Sequence, residues 1–217
     1  MKKIYLLAST ALLAITTVHA QITEGKWLAI GGISGGFNNR TTAPNEESKG
    51  SQFGVQLQLG KAIKNNVVVG GLVGFNASSN RQFFNNNEIS RGNFNSATIG
   101  VFARHYKSLG KGFNIFAQST ALVNTSRDKT NIPNGASFVN SRSTSAGIGL
   151  APGIAYQIAK KLQVELVANN LLLLQYHNSK QYSVNQPTRT NNSFNASSSL
   201  NNGLNLGAMA LGFTLIL

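Results

Sequence analysis

Apolar and polar positions alternate along most of this chain with a period of two. In the stretch Gln52 to Gly60, Phe53, Val55, Leu57 and Leu59 fall on one side, while Gln52, Gly54, Gln56, Gln58 and Gly60 fall on the other. Side chains alternate across an extended strand, so this pattern predicts a two-faced β-strand. Alternation and turn residues together predict eight strands, at residues 26–38, 51–63, 66–77, 95–106, 113–124, 144–158, 162–176 and 203–217. No amphipathic helix pattern of useful length lies between them.

The connections differ in kind. Three are short and basic: KNN at 64–66, KSLGKG at 107–112 and AKK at 159–161. Four are long and rich in Asn, Ser and Thr, containing residues 39–50, 78–94, 125–143 and 177–202. Long and short alternate, beginning with long. Outer-membrane barrels sort their connections this way, with short periplasmic turns and longer extracellular loops. The faces agree. Ile99, Val101, Phe113, Ile115, Val123, Ile148, Ile154, Ile158, Leu211, Phe213 and Leu215 share the apolar side of their strands. Their neighbours are Gly, Ala, Gln, Asn and Thr, with few charges, a composition suited to a crowded interior rather than to a solvated outer wall. A soluble barrel would turn the apolar side inward. Here that side is expected to meet lipid, which a tilted strand of about 10 residues spans. Trp27, Phe37, Phe75, Tyr106, Phe113 and Tyr176, near strand ends, are candidates for interface girdles. The pattern breaks at Asn169–Tyr176, which places Leu171 and Leu173 inward or requires a bulge, and at Pro152, which costs a ladder hydrogen bond.

The first residues have another character. Lys2 and Lys3, an apolar run from Ile4 to Val18 and the small-residue end Val18-His19-Ala20 have the form of a secretory signal, with cleavage expected after Ala20. Residues 21–217 then form one domain of ordinary length. The chain has no cysteine, so disulfides, thiolate metal sites and a cysteine lipid anchor are excluded. No later apolar stretch reaches the roughly 20 residues of a membrane helix, and the remaining spanning structure is a closed barrel.

The chain carries 19 Lys and Arg against 6 Asp and Glu; without Lys2 and Lys3, 17 remain. The cations are spread over turns and loops with no basic helix or aromatic-basic cluster. Nucleic acid is therefore not expected as a partner, and lipid phosphate is. Arg40, Arg81, Arg91, Arg127, Arg142 and Arg189 lie in the long connections, beside Lys49, Lys129 and Lys180, as weak candidates for anion contacts at the cell surface.

The stretch LQLGKAIKNNVVVGGLVGF, at 57–75, resembles a hairpin of the small outer-membrane β-barrel domain proteins of Bacteroidota, a porin-like group. VFARHYKSLGKGFNIFAQSTAL, GLAPGIAYQIAKKLQVELVAN and LNLGAMALGFTLIL are similar to its later hairpins and closing strand. The resemblance covers nearly all of the chain after residue 20. It implies an outer-membrane location and insertion by the barrel-assembly machinery, and it implies no activity. The closing strand ends in Leu217, with Phe213 four residues earlier, where assembly signals favour a terminal aromatic.

The expected fold is all-β: an eight-stranded antiparallel transmembrane up-and-down β-barrel, monomeric, with four extracellular loops. An eight-stranded barrel is just wide enough for its own side chains to fill. Arg104 and Glu165 are the interior charges placed on strands, each three or four residues from a short turn. An ion pair across the lumen is expected, because a buried charge is costly unless paired. A structural plug is the first reading and a gate on a narrow conduit the second. His177 and Ser179 resemble the His-x-Ser spacing of lipid A deacylases, in which a His base activates a Ser nucleophile. No Asp or Glu follows Glu165 to orient that imidazole, and a loop acid such as Asp128 would have to take the role. His105 is expected at the interface beside its turn. Two histidines after residue 20 and six scattered acids build no metal site, and no cofactor is expected. The resulting expectation is a non-enzymatic outer-membrane protein with a structural or surface-binding role, in contact with outer-membrane lipid including lipopolysaccharide. A narrow porin is the alternative, with a lipid A acyl hydrolase behind it.

Overall fold

The computed structural model describes residues 22–43, 45–85, 87–131, 138–168, 171–183, 186–198 and 209–217. The expected signal sequence lies outside the described residues, as do positions 203–208 of the expected last strand. Ten strand segments are present: β1 (Trp27–Ala43), β2 (Glu46–Lys64), β3 (Val67–Phe84), β4 (Asn87–Gly110), β5 (Phe113–Asn131), β6 (Phe138–Ala159), β7 (Leu162–Ala168), β8 (Leu172–Ser183), β9 (Gln186–Ser198) and β10 (Met209–Ile216). All pairings are antiparallel, and they join chain neighbours except at β10 and where β6 meets β7 along one part and β8 along another. β10 pairs with both β7 and β1, so β1 to β7 and β10 form a ring of eight strands.

Short-turn chemistry fixes one end of the ring. Asn66 and Lys111 take positive φ values of 64° and 50°, and Gly110 and Gly112 lie at 86° and 85°. Asn and Gly tolerate this left-handed backbone best, which is why these turns are so short. Asn66 also holds the segment that leads into β1. Its N–H donates to the Ile22 carbonyl at 2.8 Å, and its side-chain oxygen accepts from the Ile22 N–H at 3.2 Å. Ile22 is fully buried there with Leu28, Ala62 and Val68.

The long connections are the largest departure from the sequence reading. Residues expected as loops at 39–50, 78–94, 125–143 and 177–202 largely continue the strands as hairpins, with Arg40 opposite Ser48, Arg81 opposite Arg91, Arg127 opposite Arg142 and Lys180 opposite Thr190. Asn, Ser and Thr are poor strand predictors because nothing apolar has to be buried there. The ladder hydrogen bonds form regardless, and the polar side chains pair across strands, as in Ser126 with Ser143 and Asn178 with Asn192.

The break at Asn169–Tyr176 resolves as an even insertion. The chain carries four residues between Val167 and Leu172 where β6 carries two, between Leu150 and Gly153. Two extra residues preserve the side-chain parity, so Leu172, Leu174 and Tyr176 stay outward while Leu171 and Leu173 turn inward. Pro152 faces Ala117 of β5 and lies in this interval, where β6 has no partner on its other side among the described residues. The two irregularities coincide, and one interruption of the ladder accommodates both.

Inward positions are packed closely enough that glycine is required at some of them. A Cβ at Gly70 would meet the Leu59 carbonyl and the Gly60 backbone, whereas one at outward Gly71 would find ordinary contact. Gly70→Ala is expected to cost about 1–3 kcal/mol in urea unfolding and Gly71→Ala less than half of that. Equal midpoints for the two variants would contradict the assignment of faces.

Candidate functional site

The outer wall is apolar, and the interior holds buried polar and charged side chains beside an apolar cluster toward the short turns. Leu57, Ile99, Val101, Ile148 and Leu211 are each more than half exposed on the outer wall, whereas Arg104, Asn114, Gln118, Gln163, Glu165 and Thr214 are buried. Both faces follow from the alternation, since the register never slips by an odd number within the spans that carry these residues.

Arg104 and Glu165 meet inside the ring. Arg104 Nη1 donates to both carboxylate oxygens of Glu165, at 2.8 and 2.7 Å. The same nitrogen donates to the Tyr106 hydroxyl at 2.9 Å, and Arg104 Nε donates to Gln118 Oε1 at 2.8 Å. Thr214 Oγ1 donates to Glu165 Oε1 at 2.5 Å. The guanidinium carbon lies 4.2 Å from the Phe116 ring centroid, a cation–π distance. Strands β4, β5, β7 and β10 each supply a group, so the network ties opposite walls together. Arg104 and Glu165 are only 2% and 1% exposed, a burial at which each charge depends on the other.

Tyr106 does not belong to an interface girdle. It is 1% exposed, because it shares the inward face of β4 with Phe102 and Arg104. Its hydroxyl donates toward Glu165 at 3.4 Å, and its ring meets Phe116 at 5.4 Å. An even spacing from Arg104 was the signal that placed it inside. Trp27, Phe37, Phe75, Phe113 and Tyr176 are exposed on the outer wall, and His105 is exposed on the outward face of β4. Above the network lies a cavity of about 260 Å³ lined by Gln56, Gln58, Leu122 and Ala210, among others. Toward the short turns Phe102, Phe116, Leu28 and Val68 fill the interior. Asn114 and Gln163 are buried there with side-chain amides that have no protein partner among the described residues.

His177 and Ser179 lie two apart on the inward face of β8, across from Ser145 and Ser143 of β6. Asp128 is opposite Ser141, whose partner on β8 is Gln181, four positions beyond His177. Among the described residues no hydrogen bond or ion pair joins His177 to an acid, so the arrangement lacks the orienting group of a triad.

The six arginines expected in loops are on strands and divide by face. Arg40 and Arg189 lie at inward positions of β1 and β9, near the far rim. Arg81, Arg91, Arg127 and Arg142 lie outward, in two cross-strand rows: Lys49–Arg81–Arg91 on β2, β3 and β4, and Arg127–Arg142–Lys180 on β5, β6 and β8. In the first row, Glu47 bonds Lys49 at 3.0 Å and Glu88 chelates Arg91 through two contacts of 3.0 Å. The Lys49 ammonium, helped by Asn39, holds the Glu47 carboxyl below its ordinary range. The second row has no acid partner among the described residues. Sequence reading missed these rows because they exist only in the register between strands.

No protein family model and no curated protein sequence matches the chain. Among solved structures, Neisserial surface protein A is similar at 12% identity and a TM-score of 0.39, over 88% of this chain and 97% of that one. A major outer membrane protein from Thermus thermophilus is similar at 12% identity and a TM-score of 0.42, over 92% and 100%. The transport unit of the autotransporter AIDA-I from Escherichia coli is similar at 9% identity and a TM-score of 0.41, over 98% and 96%. At such scores these likenesses support no statement about function.

The buried pair yields a direct expectation. Glu165→Gln leaves Arg104 charged and unpaired, and should cost about 3–5 kcal/mol in urea unfolding. Replacing both residues with Met and Leu should recover most of that loss. An unchanged midpoint for Glu165→Gln would show that the pair contributes nothing to the closed interior.

Proposed function

We propose that this chain is a bacterial outer-membrane protein, an eight-stranded transmembrane β-barrel with a structural or surface-binding role exercised through its four long hairpins. The observation that carries the reading is the inverted amphipathicity of a strand ring. Large apolar side chains cover its outer wall, and its paired charges are inside. Water would penalise that outer wall, whereas lipid would not. The short turns then lie on the periplasmic side and the long hairpins at the cell surface, and the secretory signal read from residues 1–20 supplies the export that this location needs. The hairpins that resemble Bacteroidota barrel proteins agree with the same placement, which would be reached through the barrel-assembly machinery.

The Arg104–Glu165 network favours a plugged scaffold over a porin. Four strands contribute to it, and the aromatic residues beneath it leave the space toward the short turns occupied. The His177–Ser179 pair lacks its acid, which disfavours a hydrolase. Three measurements test this. The purified protein should run faster unboiled than boiled in detergent gels, and it should give no conductance steps in a planar bilayer. Leu57→Arg, on the outer wall, should cost about 2–4 kcal/mol in vesicles. A single gel mobility would contradict the barrel, and defined conductance steps would replace the plug by a pore.

A further inference from the structure

The outer wall of β5, β6, β8 and β9 presents three successive rows of different chemistry, each set by strand register. The first is apolar: Val123, Ala146, Tyr176 and Phe194 are direct cross-strand neighbours. Two residues further along each strand lie Thr125, Thr144, Asn178 and Asn192. Two further still lie Arg127, Arg142, Lys180 and Thr190. Apolar, hydroxyl or amide, then cation is the order of parts along an amphiphile with acyl chains, a hydroxylated head and phosphate.

The wall beneath these rows is concave. Two adjoining troughs of about 610 and 760 Å³ share Val101, Ala121, Ile148 and Leu174, and run from the level of Leu172 to that of Phe194. They exist because the wall is outwardly small at Ala103 of β4 and at Ser119 and Ala121 of β5, beside the larger Val101, Ile148 and Leu150. An acyl chain is the natural filler of an apolar trough open to lipid.

The cations above the trough repel one another. Arg142 faces Arg127 on one side and Lys180 on the other, and directly opposed like charges destabilise a sheet. Elsewhere the chain offsets such crowding internally, with Glu47 on Lys49 and Glu88 on Arg91. Asp128 is next to Arg127 in sequence but at an inward position, so it does not serve this row. Among the described residues no carboxylate meets Arg127, Arg142 or Lys180, which leaves this row open to an external anion.

We propose that this wall holds one phosphorylated glycolipid of the outer leaflet. An acyl chain lies in the trough over Ala121, the sugar bonds the Thr125–Thr144–Asn178 row, and phosphate binds Arg127, Arg142 and Lys180. The assignment rests on the transmembrane reading above, which puts the long hairpins on the outer side. It selects a glycolipid because a hydroxyl and amide row separates apolar wall from cations. It also narrows the candidate anion contacts, leaving Arg40, Arg81, Arg91 and Arg189 outside the site.

The test uses the full purified chain in a nonionic detergent, checked first for the heat-dependent gel shift, and then native mass spectrometry against added diphosphorylated lipid A. One lipid per chain should bind, and a variant carrying Arg127→Gln, Arg142→Gln and Lys180→Gln should bind about a hundredfold more weakly. Ala121→Trp, which fills the trough without touching a charge, should also weaken binding, whereas Arg81→Gln should leave it unchanged. Dephosphorylated lipid A and phosphatidylglycerol should bind far less well, and millimolar inorganic phosphate should not displace the lipid. Undiminished binding by the triple variant or by Ala121→Trp would overturn the site. Equal binding of phosphatidylglycerol would overturn the glycolipid, and displacement by phosphate would reduce the site to a simple anion patch. Loss of the gel shift in the unaltered chain would instead refute the barrel, and the site with it.

Discussion

The seam between β1 and β10, from Leu28 opposite Ile216 to Gly32 opposite Gly212, joins the first and last strands of the sheet. Much of the rest depends on it. An open sheet exposes two rows of unpaired N–H and C=O groups, and beside an apolar wall those groups would cost several kcal/mol each. A ring removes the edges wherever it closes. It also defines an inside narrow enough for side chains alone to fill, where small and amide-bearing inward residues lie beside an apolar cluster built on Leu28, Val68, Phe102 and Phe116. Gly70 and Gly60 face each other where two strands approach closely, and Phe102 leans over Gly60 to use the space.

Among the described residues, fully buried charge is found only in compensated form. Arg104 is bonded to Glu165, Gln118 and Tyr106, and Thr214 takes a further place on the carboxylate. Outside, above the apolar wall, cations stand in rows: Glu47 and Glu88 meet Lys49 and Arg91 in one, while Arg127, Arg142 and Lys180 have no acid partner among the described residues in the other. The buried cation and the exposed rows therefore have different consequences. The buried pair ties four strands together and holds the ring's lower half as one packed unit. The exposed rows lie outside the buried interior, and their cross-strand register is the basis of the proposed anion site.

Most strand positions, the two faces, the three short turns and the shared inward parity of Arg104 and Glu165 were legible in the sequence, because period-two alternation is written in residue identity; the expected strand at 162–176 is instead two segments, β7 and β8. Three features were not. The polar hairpins read as loops because their strands have no apolar face, and ladder hydrogen bonds leave no compositional trace. Tyr106 read as an interface aromatic because its place near a strand end was given more weight than its parity with Arg104. The cation rows depend on which residues of different strands become neighbours, and Arg127, Arg142 and Lys180 are far apart in the chain. The even insertion near Leu171 is an intermediate case: the disturbance was visible, but its size emerges only from the partners of Val167 and Leu172.

The central claim is that the apolar wall meets lipid while the polar face encloses the lumen. The chain has no cysteine, so single cysteines can be placed at consecutive positions Phe53 to Leu59 and spin-labelled in vesicles. Collision with dissolved oxygen and with a water-soluble nickel chelate then reads lipid and water exposure directly. The account predicts high oxygen and low nickel accessibility at Phe53, Val55, Leu57 and Leu59, and low oxygen accessibility at Gly54, Gln56 and Gln58. Nickel accessibility at the Leu57 and Leu59 positions, with the alternate positions shielded from both reagents, would mean a water-facing wall and would contradict it.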